Sequence, residues 1–411
     1  MDFCSKFLLK SKENGKFTFT QNLLVILGKK KKKEEKRMKL FFQKNDLVSA
    51  IQIVGRAVAS KTTMSIMECI LIDATEGQIS LTGNKSEFGI ETLCPGIIEE
   101  AGKIALEAKL FTEIVKRLPQ TEGNNLCIEA EENGNCIIRC EKSVFKIMGR
   151  NAEEFPSLPS VEKQEAITVS QFSLRNMINQ TIFSTANGEN NKKMAGEYFE
   201  IKDNLFSITS LDGHRISIRK TFLKDSYSEQ SAIVPKEVLS DLSKIMTGGL
   251  EDIVEMYFSG QYLLFHYEDT TVVTQLVDGE YFHVKQMLST DYETKITVNR
   301  KQLLEDIDRA RIMARDNDKQ PLILKISDDS LSLKIISDLG RMDAEIPVKQ
   351  EGRDLLIGFN PNFLMDALQN IEEEEVSLYF TIPRSPVFIR DKEESYIYMI
   401  LPVNFNADQV E

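Results

Sequence analysis

Two patterns of apolar and polar positions recur along the chain, each three times and always in the same order. The first is a short strand followed by an amphipathic helix. It reads LFFQKNDLVSAIQIVGRAVA from Leu40, ITVSQFSLRNMINQTIFSTA from Ile167 and ITVNRKQLLEDIDRARIMA from Ile296. Leu47, Leu174 and Leu303 stand at the same place in the three copies. Ile51, Ile178 and Ile307 follow one helical turn later on the same face. The copies start 127 and 129 residues apart (167−40 and 296−167).

The second pattern reads IALEAKLFTEIVKRL from Ile104, AIVPKEVLSDLSKIM from Ala232 and LIGFNPNFLMDALQNI from Leu356. Each copy is a short strand, a helix start and a pair of apolar residues: Leu110-Phe111, Val238-Leu239 and Phe363-Leu364. Pro235 and Pro361 suit a first helical turn. An acid follows each pair two positions on, as Glu113, Asp241 and Asp366. Between the helices lie alternating strands such as GQISLTG (77–83) and NNLCIEAEENGNCIIRCEKSVFKI (124–147). In the latter, Asn133-Gly134 is a strong hairpin signal. The pattern predicts an α+β fold of three repeated units, each built of two strand–helix–β-meander halves. Repeats of roughly 125 residues are far longer than the 20–50 of a solenoid. Six such halves favour a pseudo-symmetric arrangement, with helices lining one surface and sheets forming another. Periodicity leaves open whether that surface closes.

Composition narrows the function classes. Apolar residues make up 42% of 411, enough for large cores. The longest apolar candidate for a membrane span, Leu23–Leu27, is far short of the ~20 residues needed, and no secretory leader is evident. A cytoplasmic protein is therefore expected. Cys4, Cys69, Cys94, Cys127, Cys136 and Cys140 show no CxxC spacing; Cys136 and Cys140 share one strand face and read as buried thiols rather than a metal or disulfide pair. Asp212-Gly213-His214 is the only segment that suggests acid–base chemistry. No nucleophile elbow, phosphate loop or metal cluster accompanies it, and Asp-Gly is a turn signal. No catalytic residue and no cofactor are expected.

Charge divides the chain. Residues 1–37 hold eleven basic and four acidic residues, a net of +7, against −12 for the whole, which leaves −19 from Met38 onward (−12−7). The run Lys29–Arg37 uses residues that purine triplets encode, as translation of a ribosome-binding stretch would. Residues 1–37 are accordingly expected to be a non-native or disordered extension, with Met38 as the start; a nucleic-acid-binding basic arm is the alternative.

From Met38 to Asn404 the chain resembles the β subunit of bacterial DNA polymerase III, the sliding clamp. MKLFFQKNDLVSAI, SKTTMSIM (60–67), EFPSLP (154–159), SLDGHRI (210–216), LVDGEYF (276–282) and YMILPV (398–403) carry the resemblance by their order and spacing. Ser65 and Phe282 stand where the family usually has proline, Leu211 where threonine is common and Asn404 where arginine is usual. The resemblance implies clamp domains at 38–163, 164–290 and 291–411. It also implies a head-to-tail homodimeric ring, with helices lining a central hole that encircles duplex DNA regardless of sequence. The partners implied are the polymerase III α subunit, a clamp loader and other proteins bearing a clamp-binding peptide, with no membrane. The alternative is a non-catalytic peptide-binding scaffold that does not encircle DNA.

Residue by residue, the resemblance places a partner-peptide pocket between the second and third units. Met194, Leu211, Gly213, His214, Arg215 and Ile216 come from the second unit, and Phe282, Gln286 and Met287 from the link beyond it. Pro386, Met399, Ile400, Leu401, Pro402 and Val403 come from the third. For the ring seam it points to Phe145 and Ile147 facing Ile312 and Met313 of the other subunit. A body of −19 repels DNA unless its cations are placed selectively, and loose contacts suit sliding. Lys44, Lys109, Arg309, Arg311 and Arg315 lie on or beside the repeated helices. So do the residues expected to face the hole: Lys61 above all, then Arg56, Lys116, Arg117, Arg175, Lys192, Lys193, Lys236 and Lys244. Ordinary solvated helix faces account for many of these equally well.

Overall fold

The computed structural model of the chain describes residues 37–60, 62–85, 87–120, 123, 125–188, 191–314 and 320–405. Lys61, Arg315, Cys4 and all but the last residue of the basic extension lie outside the described residues.

Every repeated pattern becomes a helix preceded directly by a strand. The helices are α1 (Lys44–Val54), α2 (Ala108–Arg117), α3 (Gln171–Asn179), α4 (Lys236–Ile245), α5 (Arg300–Arg311) and α6 (Pro361–Gln369). Their starts are fixed locally. Ser170, Asn299 and Asn360 accept a backbone N–H of the first turn through their side chains, Glu107 accepts two, and Pro361 takes the first helical position. The aligned Leu47, Leu174, Leu303, Ile51, Ile178 and Ile307 are all buried, each contributing about 2 kcal/mol of apolar transfer. The apolar pairs behave differently: Phe111, Leu239 and Leu364 are buried, whereas Leu110 is exposed and Phe363 only half-buried. The first helices of the units stop short of their apolar runs. α1 passes into a 3-10 turn at Gly55–Ala57. After α3, a second short turn follows at Ile182–Ser184.

The helices pack in pairs, α1 with α2, α3 with α4 and α5 with α6, against four antiparallel sheets. Two sheets ignore the unit boundaries. The eight-stranded sheet runs Ile167–Ser170, Ile253–Ser259, Tyr262–Tyr267, Thr270–Gln275, Phe88–Leu93, Ser80–Asn84, Cys69–Asp73, Lys103–Glu107, and so joins the second unit to the first. The seven-stranded sheet joins the second unit to the third. Its order is Gly196–Leu211, Arg215–Pro235, Tyr396–Ile400, Val387–Arg390, Glu375–Phe380, Thr294–Asn299, Lys349–Gly352. The other two sheets cap the ends. One ends in the edge strand Ser143–Met148 after Ile97–Glu100, Arg37–Phe42, Leu126–Glu131 and Asn135–Cys140. The other ends in the edge strand Gly340–Pro347, beside Ser330–Ser337, Leu322–Ser327 and Leu355–Phe359.

The two internal joints follow one plan. At the first, Phe88 lies opposite Thr274; Gln275 N–H then donates to the Glu87 carbonyl (2.8 Å) and Val277 N–H to that of Ile233 (2.9 Å). At the second, Arg215 lies opposite Ile400; Leu401 N–H donates to His214 (2.9 Å) and Val403 N–H to Gly358 (2.8 Å). The first unit repeats the last of these bonds, from Arg150 N–H to Ala105 (2.8 Å), and its Ser143–Met148 strand occupies the place of a joint strand with no neighbour on its outer side among the described residues.

The Asn133-Gly134 hairpin forms. Gly134 alone takes a left-handed backbone (φ +88) and its N–H donates to Glu131, as in a turn closed by a bulge glycine. Cys136 and Cys140 point into the first core; burial pushes the thiols of Cys136 and Cys94 up to about 12, too high for ready ionisation.

Candidate functional site

The second joint gathers most of the expected pocket residues. Leu211, Ile216 and Met399 form a buried cluster with Ile218, Ile233, Tyr281, Val284, Phe388 and Ile397, and Met194 and Phe282 pack against it. Above this floor, Met287 is 50% exposed and Leu401 36%, and Pro386, Pro402 and Val403 are half-buried. Exposed Gln286, Gly213 and His214 lie at the margin, and Gly213 holds the turn with φ +86. The result is a partly exposed apolar surface over a packed floor.

Two expected lining residues do other work. Ile400 points the opposite way from Met399, into the core of the third unit, because successive strand residues face opposite sides. Arg215 is a lock between units. Its guanidinium meets Asp212 at 3.0 Å and Asp366 of α6 at 2.6 Å, donates to the Phe183 carbonyl, and lies 4.4 Å from the Phe363 ring centroid. Asp212 is equally committed: one oxygen accepts the N–H groups of His214 and Arg215, the other takes the Arg215 side chain. The Asp212–His214 segment is thus a turn built around a charge lock.

The sequence reading missed several neighbours. Tyr198 and Tyr281 stack at 4.8 Å with 5° between planes, and Phe282 meets Tyr281 edge-on at 5.5 Å. Phe282, standing where the family has proline, therefore extends an aromatic wall of the cleft. Phe363 packs on both Arg215 and His214. The recurring acid after the apolar pair was the available signal for the lock. Asp366 takes Arg215 at the second joint, and Asp241 takes Arg56 (3.4 Å) and Lys85 (4.0 Å) at the first.

Beneath the cleft lies Glu197, fully buried, with one carboxyl oxygen accepting from Thr181 (2.6 Å) and the other unpartnered among the described residues. Burial pushes its pKa well up, only partly offset by the Thr181 hydrogen bond and Lys236. The folded state therefore keeps a proton that the unfolded chain has released. That contribution is complete below the ordinary carboxylate range and is lost as pH rises toward the raised value. Glu197→Gln is expected to flatten the pH dependence of urea unfolding above the ordinary carboxylate range, where the parent loses up to about 1.4 kcal/mol per pH unit, and to stabilise the protein there. Equal slopes for parent and variant would refute it.

The expected DNA-facing cations divide by their commitments. Lys116 and Arg117 are exposed on α2, the latter paired with Glu113 (2.6 Å). Arg175 donates to the Met246 carbonyl and lies over Phe172, and Arg56 pairs with Asp241. Lys193 donates to the Glu280 carbonyl and Lys244 to Ser240, while Lys192 is exposed. Lys236 donates to Asn187 (3.0 Å); burial and the nearby Arg215 charge lower its pKa. At the outer edge, Phe145 is exposed, Ile147 packs partly on the first core, Ile312 is 70% exposed, and Met313 packs partly on the core of the third unit.

These features define a class: a segmented, pseudo-symmetric α+β wall with two open strand edges and an apolar cleft at one internal joint. Comparison with known proteins fixes the family. Models of the N-terminal, central and C-terminal domains of the DNA polymerase III beta subunit match residues 38–159, 168–283 and 285–404. The chain is 33% identical over 382 residues to the beta sliding clamp of Bacillus subtilis (89% of this chain, 99% of that protein) and 29% over 377 residues to that of Staphylococcus aureus (89% and 99%). A DNA polymerase III beta subunit structure from Eubacterium rectale aligns with a TM-score of 0.86 and 47% identity, covering 90% of this chain and all of that one. The Bacillus subtilis clamp structure aligns with a TM-score of 0.86 and 32% identity, with the same coverage. The chain belongs to the bacterial DNA polymerase III beta subunit family, and its function is that of a DNA sliding clamp. Among the described residues no helix is long and apolar enough to cross a membrane.

Proposed function

We propose that two copies of the chain close head to tail into a ring around duplex DNA. The ring does no covalent chemistry and tethers the polymerase III α subunit, a clamp loader and other partners through peptides seated in the Met194–Leu401 cleft. The observation that carries this is the recurrence of one joint plan inside the chain with an open half at each end. Among the described residues Ser143–Met148 is a joint strand lacking its partner, and Gly340–Pro347 is the matching free edge. A head-to-tail pairing of these two edges satisfies both sets of backbone groups and repeats the internal joints, giving six half-units per half-ring. Phe145 and Ile147 then meet Ile312 and Met313 of the partner. Domains at 38–163, 164–290 and 291–411, and a working chain that starts at Met38, belong to the same reading.

The exposed cations Lys116, on α2, and Lys192, in the turn before the Gly196–Leu211 strand, then face the hole, with acidic charge elsewhere. Topology rather than affinity holds the DNA, so the net negative body is compatible with the role. The test is retention on nicked circular DNA after loading. Retention that disappears when the circle is linearised supports encirclement; equal behaviour on both forms favours the scaffold that only binds peptides.

A further inference from the structure

Two exposed leucines at opposite ends of the chain are left unused by the internal joints. Leu110 on α2 is 46% exposed, and Leu339, in the turn between Ser330–Ser337 and Gly340–Pro347, is 52% exposed. Leu110 opens the repeated apolar pair, where its counterparts are Val238 and Phe363. Both counterparts meet the turn that leads into the neighbouring unit's joint strand. The Phe363 ring lies 6.0 Å from the His214 ring and 4.4 Å from the Arg215 guanidinium, and Val238 lines one cavity with Lys85 and Glu87. The third unit's turn of the same kind carries Leu339. A Cβ at Gly340 would lie 3.9 Å from the Met313 Sδ, so this turn sits beside the end of α5 and its exposed Ile312.

The internal joints add a charge lock at this place. The acid that follows the apolar pair takes a cation from the neighbouring unit, Asp366 from Arg215 and Asp241 from Arg56. In the first unit that acid is Glu113, and Arg117 of its own helix already holds it at 2.6 Å. On the free edge of the third unit, Arg341 is held by Asp343, and Glu345 accepts from the Ser330 hydroxyl (2.6 Å). Lys146, on the Ser143–Met148 strand, is exposed and makes no ion pair among the described residues. Charge at the two open ends is thus largely satisfied within the chain, while Leu110 and Leu339 stay in water. Removing two half-exposed leucines from water is favourable and needs no partner charge.

We infer that Leu110 of one protomer packs on Leu339 of its partner, so that an apolar contact closes the seam where the internal joints have an ion pair. This rests on the head-to-tail reading and adds to it a contact beside the strand pairing. Each protomer carries a net of −19 from Met38 onward, so the two bodies repel. Salt screens that repulsion and leaves an apolar contact intact. The dimer is therefore as tight at high salt as at low salt, or tighter, whereas a seam held by exposed ion pairs would loosen.

Sedimentation of the full chain over a concentration series tests this. Leu110→Lys and Leu339→Glu, made singly, are each expected to raise the dimer dissociation constant about a hundredfold, roughly tenfold for each of the two seams. Combined in one chain, the new ammonium and carboxylate meet at both seams, and the constant should return to within about tenfold of the parent's. Leu250→Lys, at an exposed leucine of the second unit, is the control and should leave it unchanged. All three side chains are exposed in the protomer, so melting temperatures should match the parent's. A combined variant as weak as the product of the two single effects overturns the contact, as do single variants no weaker than the control. A parent dimer that loosens between about 0.1 and 0.5 M sodium chloride overturns its apolar character. A parent that is monomeric at every concentration sinks the head-to-tail reading itself, whereas a dimeric parent without rescue sinks only the Leu110–Leu339 contact.

Discussion

Phe145→Asp should convert the proposed head-to-tail dimer to monomers and abolish retention on circular DNA. Phe145 stands exposed on the unpaired Ser143–Met148 strand, on the same face as Ile147, which packs partly on the first core. A carboxylate placed there is desolvated by any strand that docks alongside, and the apolar contact to the partner's third unit is lost. A cost of about 2 kcal/mol at one contact is ordinary for a central apolar anchor. A head-to-tail ring of two has two identical seams, so the total is about 4 kcal/mol, or roughly a thousandfold in the dimer dissociation constant. Sedimentation over a concentration series reads this directly. Because the side chain is exposed in the monomer, its melting temperature should stay close to that of the parent. A variant that remains dimeric at the parent's concentrations would place the seam elsewhere.

The second large effect concerns the cleft. A labelled peptide of the Gln-Leu-x-Leu-Phe type is expected to bind the chain in the micromolar range. Leu401→Ala combined with Met194→Ala should weaken it by about 3 kcal/mol, roughly a hundredfold. Leu401 is on the open rim and Met194 packs against the floor, so the pair removes contact from two sides without touching the fully buried Met399 or Ile400. Arg215 is the wrong residue for this purpose. Its loss would unlock Asp212 and Asp366 and loosen the joint, so weaker binding would report on folding. Fluorescence polarisation with a thermal-unfolding control separates the two. Binding by the double variant as tight as by the parent would show that peptides dock elsewhere. The stacked Tyr198, Tyr281 and edge-on Phe282 give the cleft an aromatic wall, and aromatic anchors on the peptide should be favoured accordingly.

Much of this was written in local sequence. The six helices follow from apolar spacing and capping side chains, both properties of a few adjacent residues. Leu47, Leu174 and Leu303 align because each unit solves the same packing problem. The turn at Gly134 and the burial of Cys136 and Cys140 follow from short-range chemistry and strand alternation. Family motifs named residues that the fold gathers at the second joint, among them Leu211, Ile216 and Met399. The tertiary structure decided how the pieces join. No periodicity shows that Thr270–Gln275 pairs with Phe88–Leu93, or Tyr396–Ile400 with the long Arg215–Pro235 strand, because such pairing joins residues 177 to 186 positions apart (396−219 and 274−88) through backbone hydrogen bonds. Sequence separation likewise hid the Arg215–Asp366 lock, which ties an expected pocket residue to the third unit. It also hid the split of Met399 and Ile400 between two cores. Sequence determined which faces were apolar; only the folded chain determined which face each would meet.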